Sequence, residues 1–207
     1  MDEFAIQKGH RYATVVVDPE RKRVLWIGRG RSRAEVRPFF ELLGPVRCAQ
    51  IRAVAMDMNT AYDLEVQAHC PNAEVVYDLF HVVAKYGREV IDRVRVDEAN
   101  RLSADRPARK VVKTSRWLLL RNRENVPEDQ VVRLDELLAA NKALLTVYLL
   151  KDDLKQLWFY CREGWARKAW KSWKRRALRG GLSPTCRQCQ EFCVSGRLMI
   201  RCVVPRF

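Results

Sequence analysis

The chain has 207 residues, of which 48% are hydrophobic and 31% are charged, so it is long enough to bury one sizeable core. Lys and Arg number 39 against 25 Asp and Glu, and the formal net charge of +14 favours a polyanionic partner such as nucleic acid. No apolar run is long enough to span a membrane, no secretory signal is present, and an odd count of seven Cys indicates reduced thiols, so we expect a soluble cytoplasmic protein.

The first 84 residues alternate β-branched runs with short helical patterns. Residues 18–22 supply turn chemistry between apolar runs over 13–17 and 24–27, which predicts a β-hairpin. Residues 3–6 predict a short strand ahead of it. Three strands in a row indicate that the sheet begins as an antiparallel unit.

Helices separate the strands that follow. Ser32 and Glu35 have capping-box spacing, and apolar residues at helical period then predict a helix that ends at residues 44–45. Three further elements are predicted in order: a strand over 51–56, a helix over 60–69 and a strand over 74–77. The pattern predicts an α/β fold with one mixed sheet, whose later strands lie beside the first.

The strand signal disappears from about residue 80 to residue 178. One helix is expected over about 82–94, and another begins at Pro127 with an apolar pattern that continues through Tyr148. Residues 151–178 predict a third, long helix. We interpret this stretch as an all-helical insertion or subdomain.

Carboxylates stand at the ends of the predicted strands. Asp2 opens the first strand, Asp57 and Asp78 close two later ones, and His81 follows three residues after Asp78. Acids at neighbouring strand ends converge on one edge of a sheet, and a hard divalent cation such as Mg²⁺ relieves their repulsion. Alternatively, each Asp is a turn former or helix cap, and His81 is a partly buried structural residue. The spacing alone leaves both interpretations open.

Residues 151–179 are basic and rich in Trp, with ten Lys and Arg against three acidic residues. This pattern fits a helix that lies along nucleic-acid phosphates. It also fits a helix with a Trp core face and a solvated basic face. We expect both roles, with the Trp residues packing and six basic residues attracting DNA: Arg167, Lys168, Lys171, Lys174, Arg175 and Arg176.

Three blocks of sequence are long and distinctive: residues 2–18 with 23–25, residues 54–58, and residues 71–83. They closely resemble the catalytic domain of bacterial insertion-sequence transposases of the ISL3 type, and residues 117–122 and 166–170 look like the family's helical region. The resemblance covers roughly residues 2 to 178. It implies a DDE transposase with a ribonuclease-H-like mixed sheet followed by an all-helical insertion.

The resemblance also implies roles for the strand-end residues. By position, Asp2 and Asp57 match the first two catalytic, metal-binding acids, and Asp78 with His81 matches an Asp-x-x-His signature. We expect His81 to orient a phosphate or a strand end without binding metal. The family cuts and joins DNA with two Mg²⁺ (or Mn²⁺) ions. The resemblance implies that the partner is DNA at transposon ends, in the bacterial nucleoid. It leaves open whether the chain forms a homo-oligomer.

The sequence departs from the family's pattern in three ways. The first strand is truncated because Met1 directly precedes Asp2, the family's N-terminal zinc-binding and helix-turn-helix regions are absent, and the third catalytic acid is missing. We therefore expect an inactive fragment, with a partial core at 1–84, the insertion at 85–179 and an atypical tail at 180–207. A non-catalytic DNA-binding remnant, a partner of an intact transposase and a ribonuclease-H-like nuclease are the alternatives.

The tail from Gly180 holds four of the seven Cys and no Lys. Zinc ribbons use two close pairs of Cys, whereas Cys202 has no neighbour to pair with Cys186, Cys189 and Cys193. We expect no zinc site. The abrupt change in composition predicts an out-of-frame sequence, as a frameshift would produce.

Overall fold

The structure is a computed structural model that describes residues 1–7, 9 and 11–179. It divides these residues into two compact units, Met1–His81 and residues 82–179. The predictions for the Cys-rich tail lie outside the described residues. Within the described ranges, no helix combines the length and the apolar character that crossing a membrane requires.

The first unit begins with a three-stranded antiparallel sheet. Its strands are β1 (Asp2–Gln7), β2 (Arg11–Asp18) and β3 (Arg23–Arg29), in the order β1-β2-β3. The carboxylate of Asp18 accepts hydrogen bonds from the backbone N–H groups of Glu20 and Arg21, which closes the turn between β2 and β3. The three predicted strands are therefore confirmed, since the alternating pattern and the turn residues agree.

The second sheet has two parallel strands, β4 (Ala53–Met56) and β5 (Glu74–Tyr77). The mixed α/β class is confirmed. Among the described residues the strands pair as two separate ladders, β1-β2-β3 and β4-β5, so the single mixed sheet that the sequence predicts is not shown. The Met1 ammonium, directly before β1, donates a 2.6 Å hydrogen bond to the Ala55 carbonyl on β4. One such bond does not make a strand ladder.

Helix α1 (Arg33–Cys48) covers one face of the antiparallel sheet. Its capping box forms as predicted between Ser32 and Glu35, and the ring of Phe39 lies 5.8 Å from that of Trp26 on β3. The helix breaks where predicted, because Gly44 takes a φ of +76° that interrupts it. A second helical segment, which was not predicted, then runs from Pro45 to Cys48, since Pro suits a first helical turn.

Helix α2 (Thr60–His69) is tied to α1 and to β2 through buried polar groups. Glu65 is fully buried and accepts hydrogen bonds from the guanidinium groups of Arg33 and Arg37 on α1, at 2.7 to 3.1 Å. The Tyr62 hydroxyl lies 2.7 Å from the Thr14 hydroxyl on β2. These contacts fix the helix that precedes β5.

The second unit contains no strand among its described residues, in line with the predicted all-helical insertion. Its helices are α3 (Leu79–Tyr86), α4 (Asp92–Arg101), α5 (Arg106–Thr114), α6 (Arg116–Leu120), α7 (Glu128–Ala140), α8 (Lys142–Gln156) and α9 (Glu163–Arg179). The first three residues of α3 belong to the first unit. A π-helical turn at Gly87–Ile91 connects α3 to α4.

Two of the long predicted helices are broken. The pattern that runs through Tyr148 spans both α7 and α8, because Asn141 leaves the helical conformation and caps α8 by accepting a hydrogen bond from the Leu144 N–H. The helix predicted over 151–178 is interrupted by a 3-10 turn at Leu157–Phe159. Apolar periodicity continues across both breaks, so it did not reveal them.

The helical unit buries a lysine in its core. Lys151 on α8 is 1% exposed, and its ammonium donates hydrogen bonds to the carbonyls of Leu119 and Arg121 at the end of α6, at 3.1 and 2.6 Å. Burial lowers the pKa of Lys151 to about 8. The stacked rings of Trp170 and Trp173 on α9 are also buried, as the packing prediction requires, but the prediction is wrong for Trp165, which is 57% exposed.

Candidate metal centre

Asp57 directly follows β4 and is 8% exposed. One carboxylate oxygen accepts a 3.0 Å hydrogen bond from the Asn59 N–H. Burial raises the pKa of Asp57, and the negative charges of Glu3 and Asp2 raise it further. The side chain is therefore a partly desolvated carboxylate among like charges, which a bound cation would stabilise.

Asp2 is the first residue of β1 and is exposed. Its carboxylate accepts a 2.8 Å hydrogen bond from the Glu3 N–H, which restricts its orientation. Among the described residues, no Lys or Arg forms an ion pair with Asp2 or Asp57. The neighbouring Met1 ammonium is partly buried, and burial lowers its pKa.

His81 lies on the first turn of α3, where Asp78 holds it in two ways. One carboxylate oxygen of Asp78 lies 2.9 Å from Nδ1 of His81 and 3.0 Å from its backbone nitrogen. The Asp78 N–H donates to the Met56 carbonyl, so the ends of β4 and β5 lie together. An imidazole whose Nδ1 is held by a carboxylate is the usual arrangement for a histidine that binds metal through Nε2.

These residues meet at one edge of the first unit. One ligand atom from each of Asp2, Asp57 and His81 lies within 4.8 Å of the others. Two carboxylates suit Mg²⁺ or Mn²⁺, and an imidazole is compatible with Mn²⁺. The group therefore fits a divalent cation, and the predicted closeness of the acids at positions 2 and 57 is what the structure has.

A third acid beside this group is already compensated. Glu3 forms an ion pair with Arg31 and accepts a 3.4 Å hydrogen bond from the side chain of Asn59. Asn59 also caps α2 through the Ala61 N–H. Sequence reasoning missed Glu3, Arg31 and Asn59. An Asn just before a helix is a recognisable cap signal, but the spatial pairing of Glu3 with Arg31 has no local signal.

The six basic residues predicted to attract DNA all lie on α9, and several have partners. Arg167 forms an ion pair with Glu163, and Arg176 forms one with Asp153. The Lys168 ammonium lies 5.6 Å from the centre of the Trp165 ring. For all six residues, including Lys171, Lys174 and Arg175, the attraction to DNA stays a prediction.

Comparison with known proteins gives a consistent result. A family model described as "Transposase" matches residues 1–196. The chain is 67% identical over 183 residues to the transposase for insertion sequence element IS1001 of Bordetella parapertussis, which covers 88% of this chain and 45% of that relative. It is 31% identical over 199 residues to the transposase for insertion sequence element IS1557 of Mycobacterium tuberculosis, with 85% and 45% covered. The chain thus spans about half the length of these curated relatives. No solved structure matches it.

Proposed function

The chain belongs to the family of ISL3-type insertion-sequence transposases, and from this premise we propose that Met1–His81 forms the metal-binding part of a site that cleaves and joins DNA strands. One observation carries the proposal. Asp2, Asp57 and His81 come from separate elements, yet their ligand atoms lie within 4.8 Å of one another.

We propose that both sheets belong to one ribonuclease-H-like arrangement, with β4 beside β1. The hydrogen bond from Met1 to the Ala55 carbonyl supports this order, because it joins the beginning of β1 to β4. Parallel pairing of β4 with β5 then brings Asp57 and Asp78 to the same edge. Sites of α/β folds commonly lie at such an edge.

In this proposal Asp2 and Asp57 hold the cation, Mg²⁺ or Mn²⁺, as one of two ions. Bound there, the metal supplies Lewis-acid stabilisation for the attacking and leaving oxygens of phosphoryl transfer. The residues of the chain act by positioning: the Asn59 N–H fixes the Asp57 carboxylate, and Asp78 fixes the His81 ring. Such prior orientation lowers the entropic cost of reaching the reactive geometry.

We further propose that this chain alone binds the cation without completing strand transfer, and that a third acid is supplied by the remainder of an intact transposase. The chain covers only 45% of its relatives, and the metal group found among the described residues contains two carboxylates. DNA at transposon ends and other copies of the transposase are the proposed partners.

Metal binding tests the proposal directly. Calorimetric titration with Mn²⁺ should detect a binding site. Its dissociation constant should rise at least tenfold in Asp57→Asn and in Asp2→Asn, because each variant removes an anionic ligand. The matched control is Asp129→Asn, on the exposed first turn of α7. Equal Mn²⁺ affinity in Asp57→Asn and the control would contradict the proposal.

The same titration decides the role of His81. If His81 only orients a phosphate or a strand end, His81→Ala should bind Mn²⁺ as the unmodified chain does. A weakening as large as that in Asp2→Asn would place the imidazole among the metal ligands.

Labelled transposon-end DNA tests the activity. With Mg²⁺ or Mn²⁺ present, we expect binding of the DNA without strand transfer by this chain. Cleavage that is lost in Asp57→Ala would show that the chain is active without a further acid. DNA binding without any Mn²⁺ site would identify a non-catalytic DNA-binding protein.

A further inference from the structure

Helix α5 presents a row of positive charge. Its basic residues are spaced i, i+3, i+4 and i+7, which places them on one face of a helix. All four side chains are exposed. We call this surface the α5 cationic stripe, and its residues are Arg106, Arg109, Lys110 and Lys113.

The stripe is uncompensated, whereas the cations around it are paired. Arg93, Arg95, Arg101 and Arg116 all form ion pairs with acids of α4. Among the described residues, no acidic side chain forms an ion pair with a member of the stripe, and α5 itself contains no acid. Arg106 even stands in the first turn, where the helix dipole disfavours a cation. Lys113 stands in the last turn, where the dipole favours a cation, so the helix dipole does not explain the whole stripe.

The backbone that carries the stripe is held in place. Val112 of α5 is buried, and the Asp105 carboxylate caps the helix by accepting a hydrogen bond from the Ala108 N–H. Arg95 donates a 2.8 Å hydrogen bond to the Lys113 carbonyl, which fixes the end of the helix. The cations therefore project from a backbone that is already ordered, so binding a ligand would not require the helix to form.

A further cation stands next to the end of the stripe. The Arg133 guanidinium on α7 donates a 3.2 Å hydrogen bond to the Thr114 hydroxyl. From Arg106 to Lys113 the helix rises about 10 Å, at 1.5 Å per residue. That length matches about three phosphates along one strand of B-form DNA, which follow at roughly 3.4 Å of axis each.

We propose that the α5 cationic stripe binds the phosphate backbone of double-stranded DNA without reading bases, an inference that rests on the proposed function in DNA transposition. Charge complementarity favours this partner, because the stripe offers four cations in a row and no carboxylate. An acidic protein is the less suitable partner. Protein interfaces are depleted in Lys and rely on aromatic anchors, and the stripe contains Lys but no aromatic residue.

The test is the salt dependence of DNA binding by the full chain. Fluorescence anisotropy with a labelled random-sequence duplex, from 50 to 300 mM KCl, gives the slope of log affinity against log salt concentration. In the triple variant Arg109→Gln, Lys110→Gln, Lys113→Gln, we expect the slope to flatten by about 0.9 for each lost phosphate contact, up to about 2.7. Gln keeps the helix propensity of the residues that it replaces.

The matched control removes the same charge elsewhere. Lys22→Gln, Arg23→Gln, Arg52→Gln changes three exposed basic residues of the first unit, and we expect less than a third of the effect on the slope. Equal slopes in the two triple variants would overturn the inference. The inference would also be overturned if the stripe variant bound DNA as the unmodified chain does but lost binding to an acidic polyglutamate peptide. Circular dichroism checks that both variants fold.

Mn²⁺ titration separates this inference from the proposed function. If Mn²⁺ binding depends on Asp57 but the stripe variant keeps the slope of its control, only the inference about α5 is wrong. If the slope flattens as expected and no Asp57-dependent Mn²⁺ site exists, the stripe binds DNA but the metal-site proposal is wrong.

Discussion

The two units of the molecule differ in the charged side chain that each buries most deeply. Among the described Asp, Glu, Lys, Arg and His residues this is the carboxylate of Glu65 in Met1–His81 and the amine of Lys151 in residues 82–179. Glu65 lies against two guanidinium groups, and hydrogen bonding from Arg37 lowers its pKa to about 2. Lys151 meets neutral carbonyls, so burial dominates and lowers its pKa to about 8. Burial by itself opposes the ionised form of both side chains, and it is outweighed at Glu65 because the partners there are charged.

The largest effect is expected for Glu65→Gln. The variant leaves Arg33 and Arg37 without their carboxylate, and we expect a loss of about 3 kcal/mol in the stability of the first unit. Hydrogen exchange read by mass spectrometry on peptides from α1 and α2 measures it. The control Glu41→Gln changes an exposed acid of α1 and should leave exchange within about 0.5 kcal/mol of the original.

The same carboxylate predicts how the first unit responds to acid. The pKa of Glu65 is about 2 in the folded chain against an ordinary value of 4.5. Its contribution is therefore fully present above pH 4.5 and is lost as the pH falls toward 2. In Glu65→Gln this part of the acid sensitivity should disappear. An acid profile unchanged by the substitution would contradict the buried pairing.

Lys151 predicts a smaller effect of the same direction in the second unit, at alkaline instead of acidic pH. The unfolded amine, with an ordinary pKa of 10.5, holds its proton between pH 8 and 10, whereas the folded amine releases it. The unfolded state then binds more protons, so stability rises with pH in this window, by about 2 kcal/mol. Burial raises the pKa of Tyr148 to about 12, which opposes the rise only above pH 10.

The variant Lys151→Met should remove this alkaline rise. It also leaves the carbonyls of Leu119 and Arg121 without their donor, at a cost of about 1 to 3 kcal/mol at pH 7. Hydrogen exchange of peptides from α6 and α8 at pH 7 and 9 measures both effects. Lys142→Met, at an exposed position of α8, is the control, and it should keep the rise.

The smallest effect is expected for Tyr62→Phe. The substitution removes the hydroxyl that contacts Thr14, while the Thr14 hydroxyl keeps its 2.7 Å hydrogen bond to the Gly30 carbonyl. We expect a loss of about 1 kcal/mol, confined to the first unit. Exchange of α2 peptides measures it, with Tyr160→Phe in the second unit as the control. A loss above about 3 kcal/mol would show that packing, not the hydrogen bond, governs this contact.

Sequence patterns predicted the strands well and the long helices less well. Each strand of the first unit combines β-branched residues with turn signals at its ends, and these local signals agree with the fold. The break at Asn141 was missed because the apolar spacing continues from α7 into α8. Its cause is a side chain that caps Leu144 and also donates to Glu98, and the second of these contacts joins residues that are distant in sequence.

For the candidate site, too, local signals predicted some features, whereas contacts between residues distant in sequence were missed. Their positions at strand ends allowed Asp2 and Asp57 to share a site, and the resemblance to the transposase family predicted that they lie together. The position of His81 within ligand distance depends on how α3 leaves β5 and on its hydrogen bonds to Asp78. The α5 cationic stripe was missed because charge density along the chain is higher in residues 151–179. Part of that density is neutralised by Glu163 and Asp153. The pair of Glu163 with Arg167 has i,i+4 spacing that the sequence already contains, whereas the pair of Asp153 with Arg176 is evident only in the folded chain.

Lys151 gives the helical unit an internal chemical reporter. A neutral amine is a nucleophile, and the lowered pKa makes the neutral form accessible near pH 8, but at 1% exposure an acylating reagent cannot reach it in the closed state. Exposed lysines such as Lys113 should be acylated directly. Acylation of Lys151 should instead follow the frequency at which α6 and α8 separate, so the time course of its labelling measures the opening of this unit in the intact chain.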